Sequence, residues 1–217
     1  MVPPAFHKTL SRPPYQAEVV VEAGEAPAQG EMEVSLADGE GPLGRMQVRR
    51  IGMPVAAWIA DLNHDGHLEV IVAFTVPEDA GPEAKGAKAG GAEIGGLPVA
   101  KEWWRAALAT VLETSGVGKG TGKDAGQGAG GGAKSPSAVA IYEWTERGFR
   151  ALPVAPLAPE IASQRLGQDT FEVVGGALYR RVSLPAGPGG KGQAARFQYD
   201  LANGVWQPAP EGLEVTP

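Results

Sequence analysis

The chain contains no cysteine. That single absence removes thiol nucleophiles, disulfides and thiolate metal sites, and it leaves the redox compartment open. Long apolar runs are also missing. The N-terminal MVPPAFHKTLSRPPYQ lacks the apolar stretch of a signal peptide, and no segment reaches the length of a transmembrane helix, so no membrane span is expected and the given residues read as soluble. Positive charge is scarce, with 19 Lys and Arg against 25 Asp and Glu and a formal net charge of −6. The basic pairs, Arg49-Arg50 and Arg180-Arg181, fall on strand-like stretches. Nucleic acid is therefore not an expected partner, whereas a basic protein partner suits the acidic balance. Glycine (32) and proline (19) are plentiful, and much of the glycine lies between Gly81 and Gly132, which makes the ordered core smaller than the length of 217 residues suggests.

The most informative stretch is AAWIADLNHDGHLEVIV, Ala56 to Val72. Asp61, Asn63 and Asp65 recur at every second position, Gly66 follows, and Glu69 closes the run, so several oxygens can converge where the chain reverses. This is the opening half of a calcium-loop pattern, and Asp61, Asn63, Asp65, His67 and Glu69 are the candidate ligands for Ca2+. The pattern is partial, because the twelfth loop position is Val72 and the flanks are β-branched. The alternative is a turn without an ion, since Asp and Asn side chains bond to N–H groups two residues on and Gly accepts a positive φ. His64 and His67 do not make a zinc site, because the only other nitrogen ligand of that kind is His7.

From Ala17 onward the hydrophobic period is mostly two. Met32, Val34 and Leu36 alternate with Glu31, Glu33 and Ser35, and Met46 and Val48 alternate with Arg45, Gln47 and Arg49. Leu68 to Thr75 is apolar on both faces, as a central strand is. Hairpins are expected at Glu146-Arg147-Gly148, Gly175-Gly176 and Asn203-Gly204, pairs that permit tight turns. Pro156 to Gln164 reads as one short helical turn. The fold class is mainly β, an antiparallel β-sandwich-like sheet with hairpins. Residues 1–16 read as an N-terminal extension and 17–217 as a single β domain.

That domain is interrupted by a low-complexity insert, 77–134. Within it Trp104, Leu108, Val111 and Leu112 form one apolar stripe, which predicts a helix at about 99–114 with Gly116 just beyond its end. Such a helix docks either on its own sheet or, through Trp103 and Trp104, on a partner. SGVGKGTGK, from Ser115 to Lys123, imitates a phosphate loop but fails its spacing. No nucleophile elbow accompanies the three histidines, and no carboxylate pair stands out among the acidic residues. An enzyme with its site beneath the Trp104 helix ranks last, and the chain reads as a non-enzyme.

The order of segments resembles the periplasmic inhibitors of invertebrate-type lysozyme found in Gram-negative bacteria. The carriers are IADLNHDGHLEVIV, VAIYEW, LGQDTFEVVGGALYRRVSLP (Leu166 to Pro185) and RFQYDL. In the longest of these, Gly167, Asp169, Phe171, Val173, Gly176, Leu178, Arg180 and Arg181 stand as the family has them. The resemblance implies a β-sandwich-like fold, a periplasmic or exported location, no required cofactor, and inhibition of a lysozyme by occlusion. In that family the loop before the strand matching VAIYEW carries a Ser-Gly and Tyr element that enters the lysozyme cleft. Here the same place reads Ala133-Lys134-Ser135-Pro136-Ser137, and no Tyr lies between Tyr15 and Tyr142. Lys134, Ser135 and Ser137 are thus the candidate partner-binding residues beside Trp103 and Trp104, and the alternative is that the serines only begin a strand. The expected function is a non-enzymatic envelope protein of the lysozyme-inhibitor type. The alternative is a calcium-stabilised β module with a scaffold or adhesive role.

Overall fold

A computed structural model describes residues 5–75, 93–94, 97–98, 137–155, 157, 161, 165–166, 169–185 and 193–215. The first sheet is a meander of β1 (Phe6–Arg12), β2 (Tyr15–Val21), β3 (Gln29–Asp38) and β4 (Gly41–Ile51). The second follows the order β5 (Met53–Ala60), β6 (Leu68–Thr75), β9 (Ser137–Thr145) and β10 (Gly148–Leu152). Between β6 and β9 lie two short paired strands, β7 (Glu93–Ile94) and β8 (Leu97–Pro98). The third sheet is β11 (Thr170–Val174), β12 (Ala177–Leu184), β13 (Gln193–Ala202) and β14 (Val205–Val215). All pairings within these sheets are antiparallel. The protein is mainly β and sandwich-like, as its period-two pattern requires. The helix expected at 99–114 lies outside the described residues.

The second sheet is the middle layer. Its residues Val70, Val72, Phe74 and Tyr142 pack with Leu10, Val19, Met32, Val34 and Leu36 of the first sheet. Ile71 and Ile141, on the opposite face, pack with Leu178, Tyr199 and Trp206 of the third. Both faces of β6 are therefore covered and both its edges are paired, which is why Leu68 through Phe74 are all buried. Each of the large apolar side chains among them, Leu68, Val70, Ile71, Val72 and Phe74, contributes about 1.5–3 kcal/mol by its burial. The insert joins β6 to β9, which are neighbours in register from Leu68↔Trp144 to Thr75↔Ser137.

Residues 6–12, set aside by their sequence as an extension, are β1 and pair along their whole length with β2. Only Leu10 is buried there, among exposed His7, Lys8, Thr9, Ser11 and Arg12, so alternation is too weak to reveal the strand. After β10 the chain bonds to the far edge of the third sheet. Trp206 N–H donates to the Pro153 carbonyl at 2.9 Å, and Ala155 N–H donates to the Trp206 carbonyl at 2.7 Å.

Candidate functional site

The acidic loop connects β5 to β6 and is closed by its own side chains. Asp61 Oδ1 accepts from the Asp65 N–H (3.2 Å), and its Oδ2 accepts from the Gly66 N–H (3.3 Å). Asn63 Oδ1 shares the Asp65 N–H (3.2 Å), and its Nδ2 donates to Asp65 Oδ2 (2.8 Å). Asp65 Oδ1 accepts from the His67 N–H (2.8 Å). These bonds hold His64 at φ 57° and Gly66 at φ 87°, left-handed conformations that a β-branched residue would resist. His64, Asp65 and His67 are exposed.

Beneath the loop sits a buried acidic pair. Glu69 is fully buried; its Oε2 accepts from the Leu62 N–H at 2.7 Å, and its Oε1 has no partner. Directly across the ladder stands Glu143 on β9, also buried, and the next position on β10 is Arg150. Arg150 Nε donates to the Glu143 carboxylate, while its side chain remains 62% exposed. Burial, and then the charges of Glu143, Asp65 and Asp61, raise the Glu69 carboxyl to about 7 against the opposing Leu62 hydrogen bond. The bond to Glu143 holds Arg150 above its ordinary value. One short row across the second sheet thus carries two buried carboxylates and a single countercharge.

The loop also meets the third sheet. A side chain at Gly176, in the β11–β12 turn at φ 82°, would stand 3.2 Å from His64 Cε1 and 3.6 Å from the Asp61 carbonyl oxygen. Glycine takes that left-handed backbone without strain and leaves room for His64, against which a β-carbon would press.

The structure gathers Asp61, Asn63, Asp65 and Glu69 around one hairpin, while His67 contributes a backbone N–H. Among the described residues no three His, Cys, Asp or Glu side chains stand close enough together to hold a metal ion. The oxygens of Asp61, Asn63 and Asp65 are turned to the loop's own donors, so a cation would have to draw them inward. The unpartnered Glu69 oxygen is the feature that fits one, because a hard cation takes carboxylate oxygens.

At the other end of β9 lies a second charged cluster. Arg180 donates through Nε (2.8 Å) and Nη2 to the Asp169 carboxylate, and through Nη1 to the Tyr199 hydroxyl at 3.3 Å. Its Nη2 also donates to the Ser137 carbonyl at 3.4 Å, and Arg165 Nη1 lies 3.4 Å from Asp169. Arg180 sits over the Phe171 ring, 5.2 Å from its centroid. Ser137 itself is buried at the start of β9 opposite Thr75. Lys134, Ser135, Trp103 and Trp104 lie outside the described residues.

Sequence reasoning missed Glu143 and Arg150. Glu143 shares its parity with Ile141, and that in-facing acid on an apolar strand was the available signal.

No helix among the described residues is long and apolar enough to cross a membrane. No family model matches the chain, and no curated protein does. Among solved structures it is similar, at 12% identity and a TM-score of 0.30, to the GH43_1 enzyme from Xanthomonas citri complexed with xylotriose. That match covers 94% of this chain and 54% of the enzyme, so the chain spans about half of the other protein's length. A likeness this distant assigns neither a family nor an activity.

Proposed function

We propose that this chain is a non-enzymatic envelope protein of the lysozyme-inhibitor type, which binds a cell-wall hydrolase and blocks it by occlusion. The observation that carries the reading is the join between the most specific part of the resemblance and the base of the family's inhibitory loop. Leu166 to Pro185 contains β11 and β12, and its Arg180, paired with Asp169, donates to the carbonyl of Ser137, where the chain enters β9. A buried charge pair at that point costs desolvation and is retained where it fixes geometry. Occlusion of a cleft demands a surface whose base is fixed in this way.

The test is lysis of cell-wall substrate by an invertebrate-type lysozyme titrated with the protein. Stoichiometric inhibition and a complex on a sizing column are expected. Full activity of invertebrate-type, chicken-type and goose-type lysozymes, with no complex, overturns the proposal.

The second reading is a calcium-stabilised β module, favoured by the buried Glu69 oxygen without a partner. A ligand that binds only the folded state raises its stability, so melting in calcium chloride should exceed melting in chelator. Equal melting under both conditions rules this reading out.

A further inference from the structure

The three four-stranded sheets have six edge strands, and five of them are covered or blocked. β1 lies against β5 and β4 lies against β10, so the four edges of the first and second sheets face one another. Pro54 and a bulge also interrupt β5. In the third sheet β14 carries Pro208 and Pro210, which donate no N–H, and its Trp206 is bridged to Val154. β11 has none of these devices. Thr170 to Val174 pairs with β12 without a bulge and contains no proline and no lysine. Among the described residues no strand pairs with its outer side. Its single charge, Glu172, is joined to Arg196 on β13 at 3.3 Å. Val174 is 53% exposed, Thr170 and Glu172 are exposed too, and Phe171 and Val173 are only half-buried against the core between the second and third sheets. Alternate residues of such an edge turn their N–H and C=O away from the sheet.

We propose that the β11 edge is a docking site for an extended segment of a partner protein, which adds to the third sheet as a fifth strand and is apolar at alternate positions and basic between them. The neighbour that β11 already has shows what it accepts. β12 sets Leu178 and Arg180 beside Val173 and Phe171 on the core face, and Tyr179 and Arg181 beside Glu172 and Thr170 on the outer face. An apolar residue added beside Phe171 and Val173 completes their burial, and a cation beside Glu172 makes a favourable cross-strand pair. The net charge of −6 draws a basic segment to the chain. A second copy fits less well, because two β11 strands paired antiparallel about their centre set Glu172 against Glu172. This goes beyond the inhibitor reading, since backbone hydrogen bonds hold the segment whichever protein supplies it.

The probe is a fluorescent peptide with the β12 sequence ALYRRVSL, the strand that β11 pairs with, and the full chain is titrated into it while anisotropy is read. A peptide of the same composition, in an order that breaks the alternation, is the control, and amide hydrogen exchange locates the bound peptide. Saturable binding of one peptide per chain is expected. At a peptide concentration about ten times the dissociation constant, the β11 amides should exchange about tenfold more slowly while β2 and β3 are unchanged. Val174→Lys guards the edge at an exposed position, so it should melt as the parent does and bind the peptide about tenfold more weakly. Thr170→Lys, also exposed, should behave in the same way, whereas Val55→Lys, on β5, should bind as the parent does. Absence of saturable binding, equal binding of the control peptide, or protection of β14 in place of β11 overturns the proposal. So does a Val174→Lys variant that binds as tightly as the parent. A parent that is dimeric, and monomeric once Val174→Lys is made, gives the edge to a second copy and overturns it too. Lysis tests the inhibitor reading separately, so either can fail alone.

Discussion

The two faces of the middle sheet are built differently. The face toward the first sheet is apolar throughout its centre, with Val70, Val72, Phe74 and Tyr142 against Val19, Val21, Met32, Val34 and Leu36. At its rim Arg50 is buried, but it is spread over backbone carbonyls, including Gly52 (2.6 Å) and Ala26 (3.1 Å). The face toward the third sheet is apolar only between two charged ends: Glu69 and Glu143 at one, and Arg180 with Asp169 at the other. Hydrophobic contact is non-directional and contributes to stability at every pH. Charged ends make packing depend on protons, ions and exact pairing. The first interface is therefore a fixed core, and the second is one whose strength conditions can set.

The largest effect is expected at the Arg180 end. Arg180→Ala strands the buried Asp169 with Arg165 alone and removes the donor to Ser137, which should cost about 3–5 kcal/mol in urea unfolding. A cost below about 1 kcal/mol would mean that the pair adds little beyond its own desolvation. In the apolar interface, Leu36→Ala leaves a cavity and should cost about 2–4 kcal/mol. That loss should be the same at pH 5 and pH 8, and a pH-dependent loss would show that the first interface is not the inert one.

The smallest effect belongs to Glu69, and its sign is specific. The carboxyl is held at about 7 when folded, against 4.5 for an unperturbed glutamate. The folded chain thus binds this proton more tightly than the unfolded chain does. The stability so gained is complete below pH 4.5 and is lost as pH rises through about 7, a change of about 3 kcal/mol at most, which solvent screening reduces. Without calcium, Glu69→Gln should be the more stable protein above pH 7 and should gain nothing near pH 4. Urea midpoints of the two proteins across that range decide the matter.

Much of the architecture was legible in the chain. Period-two alternation located β3 and β4, an unbroken apolar run located β6, and Glu146-Arg147-Gly148, Gly175-Gly176 and Asn203-Gly204 marked hairpins that the register reproduces. β1 was not legible, because one buried leucine among polar residues carries no period. The loop oxygen donors Asp61, Asn63, Asp65 and Glu69 were visible from spacing, since neighbours in a tight turn are neighbours in space. Glu143 and Arg150 were not, since only strand register brings them beside Glu69. Ser137 was named for its hydroxyl, and the structure adds a bond from the Arg180 side chain to its backbone carbonyl, which no sequence pattern announces.

What the sequence alone determined is which residues alternate, where the chain turns, and that a cluster of oxygens meets at the β5–β6 turn. Alternation separates a strand into two faces because side chains point to opposite sides, but it does not say what covers each face. Only the tertiary structure decided that. By laying a third sheet over one face of the second, it turned Glu69 from a surface acid of a calcium-like loop into a buried carboxyl held near neutrality. It also turned Arg180 and Asp169, which lie on opposite sides of a hairpin, into a single buried pair. Burial is a property of what lies above a residue, and that is set by contacts between segments far apart in the chain.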